Sequence, residues 1–414
     1  MGLNYHRVFT GPSGADSYLA TLTLEGSREK TLRDARDECR EAIREGLRHW
    51  SSLVTKNELF ERIFADNAPT ILKPKFRMQG SFVYRTLNDP AYAPPQQIDL
   101  DDGVFLPVSF LKEQGRDHPA LVSAGYFQAV ESVLKPVCDT HGWKLKGKST
   151  CVRVELDQHA HIDFALYAIP DDEFTALLEA ELFNKAMDAR NFLRDHVEFS
   201  EPLYQRLQED QIMLAHREEG WKPSDPRKLE DWFKKALSRH GEQIRRVSRY
   251  LKGWRDFRWE SCRLSSITLM ACVVTVYNEA AQGLVDDRDD LALLTIAAQM
   301  PIILSGRVAN PVVEGQYLDE SWTESDRQSF IEEAKALHDR LLEATSGTDS
   351  AVQGLTHLVR AFGDRLPNDT DLITSDSAPP ISGHPVLSYG LLNEIASETA
   401  PQQAVIREGD RRYG

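Results

Sequence analysis

Cysteine is scarce in this chain and never paired: there are five, Cys39, Cys138, Cys151, Cys262 and Cys272, an odd number with no C-x-x-C spacing. That excludes a disulfide framework and a thiolate zinc site, and leaves them as small core residues. Long apolar runs are missing too. No stretch approaches the roughly 18 consecutive apolar residues of a membrane span, and the first residues, MGLNYHRVFTGPSGADSYL, hold no apolar segment of the secretory kind. Position 6 is His where a myristoylation signal has Ser or Thr. The expectation is a cytoplasmic protein with no membrane partner. Positive charge is also in deficit, with 49 Lys and Arg against 64 Asp and Glu and a formal net charge of -15. Tracking DNA or RNA rests on neutralising many phosphates, so no long nucleic acid is expected as a partner. A small nucleotide arriving with Mg²⁺ remains compatible. The chain shows no internal repeat.

The 414 residues, 41% of them hydrophobic, suffice for two or three domains. They are organised around QGSFVYRTLNDPAYAPPQQIDLDDGVFLP, from Gln79 to Pro107. Gly80 and Ser81 at the entrance to a helix can turn backbone N–H groups and a hydroxyl toward a phosphate. Asp99 and Asp101, at i and i+2 in a β-compatible run, leave the same face of a strand. Adjacent carboxylates repel, and a divalent metal between them removes the repulsion. Alone, a Gly-Ser pair is a turn and D-x-D an acidic surface strand. Here they stand in order at close range, and a third acid, Asp163, follows in HIDFALYAIP. Three carboxylates from two neighbouring strands can hold two metals for in-line phosphoryl transfer.

His159, His161 and Asp163 also spell H-x-H-x-D. A zinc site is set aside, because Phe164 stands where another ligand is wanted and no distant histidine motif completes the set.

Elsewhere the pattern predicts an amphipathic helix over 29–54, with Leu32, Cys39, Ile43, Leu47 and Trp50 at helical spacing, and a second over 56–66 ended by Pro69 and Pro74. Residues 118–138 read as helix, and 150–156 and 161–169 as strands. In the second strand Asp163, Ala165 and Tyr167 share one face, with Ile162, Phe164 and Leu166 on the other. Trp221 to Pro226 reads as a connection with Ser224 or Asp225 as N-cap, and helices follow near 229–239, 241–258, 263–282, 288–303 and 323–345. Residues 364–385 read as loop or linker. On the helix 241–258, Ile244, Val247, Leu251 and Trp254 form the core side. Arg245, Arg249 and Lys252 lie about 145° away, which on pattern alone is a solvated face.

Taken together, QGSFVYRT, QIDLDDGVFLP, HIDFALYAIP, WKPSDPRKLEDWF and RLSSITLMACV resemble the bacterial cGAS/DncV-like nucleotidyltransferases, the cyclic GMP-AMP synthases of anti-phage CBASS defence. The resemblance covers roughly residues 40–320. It implies an α+β fold: a polymerase-beta-like nucleotidyltransferase core with a twisted mixed sheet, plus a helical lobe. The expected domains are 1–220 for the core with its N-terminal brace helix, 221–397 for the helical lobe, and 398–414 for a flexible tail. It further implies that Asp99, Asp101 and Asp163 are catalytic and hold two Mg²⁺ ions, with Asp163 the candidate general base. Gln79, Gly80, Ser81, Tyr84, Arg153, Ser224, Lys252 and Ser266, with Ser265 as fallback, are the expected nucleotide contacts.

The activity so implied is Mg-dependent synthesis of 3′,3′-cyclic GMP-AMP from ATP and GTP, read by a downstream cyclic-nucleotide effector. Another cyclic di- or trinucleotide synthase, a template-independent RNA or protein nucleotidyltransferase, and a catalytically silent binding module are the alternatives. Some such cyclases act beside a ubiquitin-activating-like partner that adenylates the cyclase's last residue, which makes Gly414 a candidate conjugation point.

Overall fold

A computed structural model describes residues 2–12, 16–48, 73–107, 119–169, 212–280, 284, 285 and 287–375. The helix expected over 56–66, Trp50, Pro69, the tail 398–414 and Gly414 lie outside the described residues.

The chain opens with β1 (Leu3–Asn4), α1 (His6–Thr10), α2 (Tyr18–Thr21) and α3 (Gly26–Arg48). Then come β2 (Lys75–Met78), α4 (Gly80–Tyr84), β3 (Ile98–Pro107), α5 (Pro119–His141), β4 (Lys144–Gly147), β5 (Cys151–Glu155) and β6 (Ala160–Ile169). A hairpin of β7 (Met213–His216) and β8 (Gly220–Pro223) precedes the helices α6 (Arg227–His240), α7 (Gln243–Arg258), α8 (Ser266–Glu279), α9 (Asp289–Ser305), α10 (Glu324–Leu342) and α11 (Ala351–Phe362). The last described element is β9 (Thr374–Ser375). Residues 221–223, expected in a connection over 221–226, thus belong to a strand, and the N-cap of α6 is Pro226 rather than Ser224 or Asp225, although Asp225 Oδ1 accepts from Arg227 N at 2.9 Å.

Seven strands form a mixed sheet in the order β2-β3-β6-β5-β4, with β7 pairing the far end of β6 and β8 pairing β7. The central pair, β3 and β6, runs parallel, and the other pairs are antiparallel. One face is covered by α3 and α5, whose Leu32, Cys39, Ile43, Phe127, Val130 and Leu134 share a core with Leu100, Val104, Ile162 and Phe164 of the sheet. Period two then sends the odd-numbered residues of β3 to the opposite face. Asp102 falls on the helix side and is fully buried, with Arg40 of α3 donating to both its oxygens at 2.6 Å.

The second core is helical, gathered from α6 to α11 around the buried Trp254 and Tyr250 of α7. It also takes in Leu3, Tyr5, Val8, Phe9, Tyr18 and Leu22. Residues 3–22 therefore belong to the helical lobe rather than to the nucleotidyltransferase core expected over 1–220. The reason is aromatic packing: Phe9 contacts Tyr18, Tyr250 and Phe362 with ring centroids 5.2–6.1 Å apart. Tyr5 N also donates to the buried Asp290 at 2.9 Å, and β1 pairs β9.

Between the lobes runs the loop 85–97, strapped along α7. Arg245 donates to the Tyr84 carbonyl at 2.9 Å, Lys252 to the Thr86 carbonyl at 2.6 Å, and Arg249 to Asn88 Oδ1 at 2.9 Å. Gln96 Nε2 donates to the Asp256 and Trp259 carbonyls at 2.7 and 2.8 Å. The basic side of α7, a solvated face on pattern alone, is the seam between the lobes. Amphipathicity locates a helix's own core but is silent about what a second lobe lays against the other side. No helix among the described residues is long and apolar enough to cross a membrane.

Candidate active site

Strand β2 delivers the chain to Gln79, whose N–H donates to the Asp101 carbonyl at 2.9 Å. The turn that follows depends on glycine twice over. Gly80 has φ +64°, and a Cβ there would lie 2.0 Å from Asp101 Oδ2. The Gly-Ser turn and the acidic strand are therefore one unit, the Asp101 carboxylate resting on the bare Gly80 backbone.

Register supplies the rest. In the parallel β3–β6 pair Asp99 stands opposite His161 and Asp101 opposite Asp163, while antiparallel β5 sets Arg153 opposite Asp163. Asp99, His161 and Asp163 each offer a ligand atom within 4.8 Å of the other two. Asp101 lies outside that group, in the same register, against Gly80. Arg153 donates to both Asp163 oxygens, at 2.7 and 2.6 Å. Burial, then the charges of Asp99 and Asp163, push the Asp101 carboxyl from 3.8 up to about 8, with Arg153 opposing. Carboxylates crowded at this density fit a divalent cation: its charge would relieve what Arg153 alone offsets.

A cavity of about 630 Å³ opens here, lined by Asp99 and Asp101 on one side and by residues of α7 and α8 on the other. Among the expected residues Gly80, Ser81, Tyr84, Asp99, Asp101, Arg153, Lys252, Ser265 and Ser266 line it. Gln79, Asp163 and Ser224 do not. Gln79 Oε1 accepts from Tyr167 Oη at 3.2 Å, and Ser224 N donates to the Ile212 carbonyl at 3.0 Å. Lys252 is 6% exposed, and burial followed by the nearby Arg255 charge lowers its ammonium from 10.5 to about 7. Ser265 is the N-cap of α8, its Oγ accepting from Thr268 N at 3.1 Å. Ser266 Oγ accepts from Arg255 Nη1 at 3.1 Å.

Two residues at this site escaped the reading of the sequence. Arg255 lines the cavity between Asp256 and Ser266, and its signal was the i+3 spacing from Lys252. His161 was set aside with the zinc string, although its i, i+2 relation to Asp163 already put both on one strand face.

Fold and site together define a nucleotidyltransferase: paired acids on a parallel strand couple, a glycine-serine turn against them, and a cleft closed by helices carrying cations and hydroxyls. The comparisons narrow the class. Residues 74–167 match the family model described as the cyclic GMP-AMP synthase DncV-like nucleotidyltransferase domain, and residues 241–376 the cyclic GMP-AMP synthase C-terminal domain. The chain is 31% identical over 324 residues to a cyclic GMP-AMP synthase of Vibrio cholerae, covering 76% of this chain and 72% of that one. To one from Escherichia coli it is 30% identical over 386 residues, covering 88% and 83%. The crystal structure of Vibrio cholerae DncV with the linear intermediate 5′ pppA(3′,5′)pG superposes with a TM-score of 0.73 at 25% identity, over 91% of this chain and 100% of that one. The same protein with GTP and 5MTHFGLU2 gives 0.71 over the same shares at 25% identity. The chain belongs to the DncV-like cyclic GMP-AMP synthase family of nucleotidyltransferases.

Proposed function

We propose that this enzyme makes 3′,3′-cyclic GMP-AMP from ATP and GTP, with Mg²⁺, as an anti-phage second messenger. The observation that carries the reading is the shared cavity, in which Asp99 and Asp101 of β3 face Lys252, Arg255 and Ser266 of the helical lobe, with Asp163 of β6 in register beside Asp101. It is supported by relatives whose structures hold GTP or a linear pppA-pG intermediate.

Asp99, Asp101 and Asp163 would hold the metal as two ions. Bound there, Mg²⁺ would neutralise the triphosphate and acidify the attacking ribose hydroxyl. Lys252, Arg255 and Ser266 bind the triphosphate and orient its α-phosphorus toward the acids. Ser81 and the Gly80 turn hold the donor from the other side. Asp163 accepts the proton of the ribose 3′-hydroxyl through a carboxylate oxygen, which Arg153 must release. The 3′-oxygen bonds to the α-phosphorus, the bond to the β-phosphate bridging oxygen breaks, and pyrophosphate leaves. Cyclisation repeats these events with the intermediate's own triphosphate as donor, so Arg153 and Tyr84 serve an acceptor and then its successor. A cyclic-nucleotide effector would read the product, and a ubiquitin-activating-like partner would act at Gly414.

Incubation with labelled ribonucleotides and Mg²⁺, followed by phosphatase and mass spectrometry, tests the proposal. A phosphatase-resistant mixed dinucleotide is expected. Elongated RNA, labelled protein or no product would overturn the cyclase reading, and a homodimer, a trinucleotide or a pyrimidine-containing ring would overturn the substrate assignment.

A further inference from the structure

His161 sits 6% exposed on β6, and each of its ring nitrogens has a defined neighbour. Gln97 Nε2 donates to the Asp157 carbonyl at 3.3 Å, which leaves Gln97 Oε1 facing His161 Nδ1 at 2.9 Å. An amide oxygen only accepts, so Nδ1 carries the proton and Nε2 is the ring nitrogen left to bind. That nitrogen lies 3.0 Å from Asp99 Oδ1. Both atoms are buried, and neither makes a hydrogen bond, so the pair is not aligned as a proton bridge. Both atoms thus stand within reach of one cation placed beside them. Asp163 completes the set, its ligand atom within 4.8 Å of the others. Although Arg153 uses both its oxygens, a carboxylate has about four lone-pair sites and keeps capacity for a metal.

We infer that His161 Nε2 is a nitrogen donor to a divalent cation seated with Asp99 and Asp163, which gives this site a preference for Mn²⁺ over Mg²⁺. The inference rests on the metal-dependent reading above. Its chemistry is that of a mixed donor set. Mg²⁺ is bound through carboxylate, phosphate and water oxygens, whereas imidazole adds affinity for first-row transition ions. Gln97 is the outer partner that fixes the tautomer, as the second nitrogen of a ligating histidine requires. Asp101, two residues from Asp99 and outside the group, stays available to a cation bound chiefly by oxygen.

The test uses the full chain without nucleotide and Mn²⁺ as the probe. Electron spin echo spectra of the Mn²⁺-loaded protein should show the ¹⁴N coupling of a directly bound imidazole. Labelling histidine with ¹⁵N should replace it by ¹⁵N coupling, a readout that needs no variant. In His161→Gln the coupling should vanish and the Mn²⁺ Kd rise by about tenfold or more, with the Mg²⁺ Kd changed far less; Gln97→Leu should keep the coupling and weaken Mn²⁺ by about tenfold. Mn²⁺ bound without nitrogen coupling, or with coupling that survives in His161→Gln, would overturn the role of His161 and leave the cyclase reading standing. Failure of Mn²⁺ to bind at all would overturn the inference together with the metal assignment.

Discussion

Arg153 and Asp163 face each other across neighbouring antiparallel strands, and the guanidinium holds both carboxylate oxygens at 2.7 and 2.6 Å. Arg153 is the resident countercharge of an acid proposed to serve a metal and a proton. Arg153→Ala should therefore raise the affinity of the nucleotide-free protein for divalent cations several-fold while lowering product formation. Isothermal titration with Mn²⁺ and a product assay check the two halves separately. Cation affinity that falls in the variant would show that the two charges do not compete.

Asp101 yields a pH dependence. Its carboxyl is raised from 3.8 to about 8, so the native state holds a proton that the unfolded chain releases. Its contribution to stability is fully present below about pH 4 and is lost as pH rises through 8. Asp101→Asn has no such loss. In metal-free buffer the melting temperature of the variant should overtake that of the native protein between pH 5 and 9, while product formation is abolished. Parallel melting curves across that range would contradict the assignment.

Lys252 gives the opposite slope. Its ammonium is lowered from 10.5 to about 7, so the unfolded chain binds the extra proton between those values and stability rises with pH across that window. Lys252→Met should flatten this rise, read as urea midpoints at pH 7 and pH 10, and should also weaken ATP binding. A variant with unchanged ATP affinity would leave Lys252 as a strap on the Thr86 carbonyl alone.

The adjacent serines of α8 separate by role. Ser265→Ala removes a helix cap and should cost about 1 kcal/mol of stability with modest effect on the reaction. Ser266→Ala should leave the denaturation midpoint nearly unchanged and raise the KM for ATP. Exchanged outcomes would exchange the roles.

Asp102 is the acid that does no chemistry. Arg40 and Asp102 are 6% and 0% exposed at their side chains and bind through two hydrogen bonds. Arg40→Ala, which removes the donor of both these hydrogen bonds from a buried carboxylate, should cost about 3–5 kcal/mol in chemical denaturation. A loss below 1 kcal/mol would mean that the strand relaxes to hydrate it.

The acids of β3 and β6 were legible because period two puts i and i+2 on one face, and because a Gly-Ser pair preceded them at short range. Register was not legible. That Asp99 meets His161, and Asp101 meets Asp163, depends on how two strands some 60 residues apart align, and nothing local records it. The helices α5 to α10 could be placed from apolar spacing, with ends shifted by a few residues. Helices α1 and α2, of five and four residues, are too short to show a period. Their attachment through Phe9 and Tyr18 to Tyr250 and Phe362 is wholly long-range. The basic stripe of α7 was seen, but its pattern alone reads as a solvated face and only the resemblance assigned Lys252 to nucleotide; the Thr86 carbonyl that it meets leaves no mark in the helix's own spacing.

The straps from α7 have a bearing on how this enzyme can change over evolutionary time. Arg245 and Lys252 grip the carbonyls of Tyr84 and Thr86, and Thr86 N donates to the Ser81 carbonyl at 2.9 Å. Backbone oxygens are the same whatever side chain they accompany. Side chains that line the cavity there can therefore change without touching the straps, within the limits set by the packing of Tyr84 on Phe233 and of Leu87 on the sheet core. Descendants of this chain can sample new base preferences along that rim while the acids, the turn and the seam stay fixed.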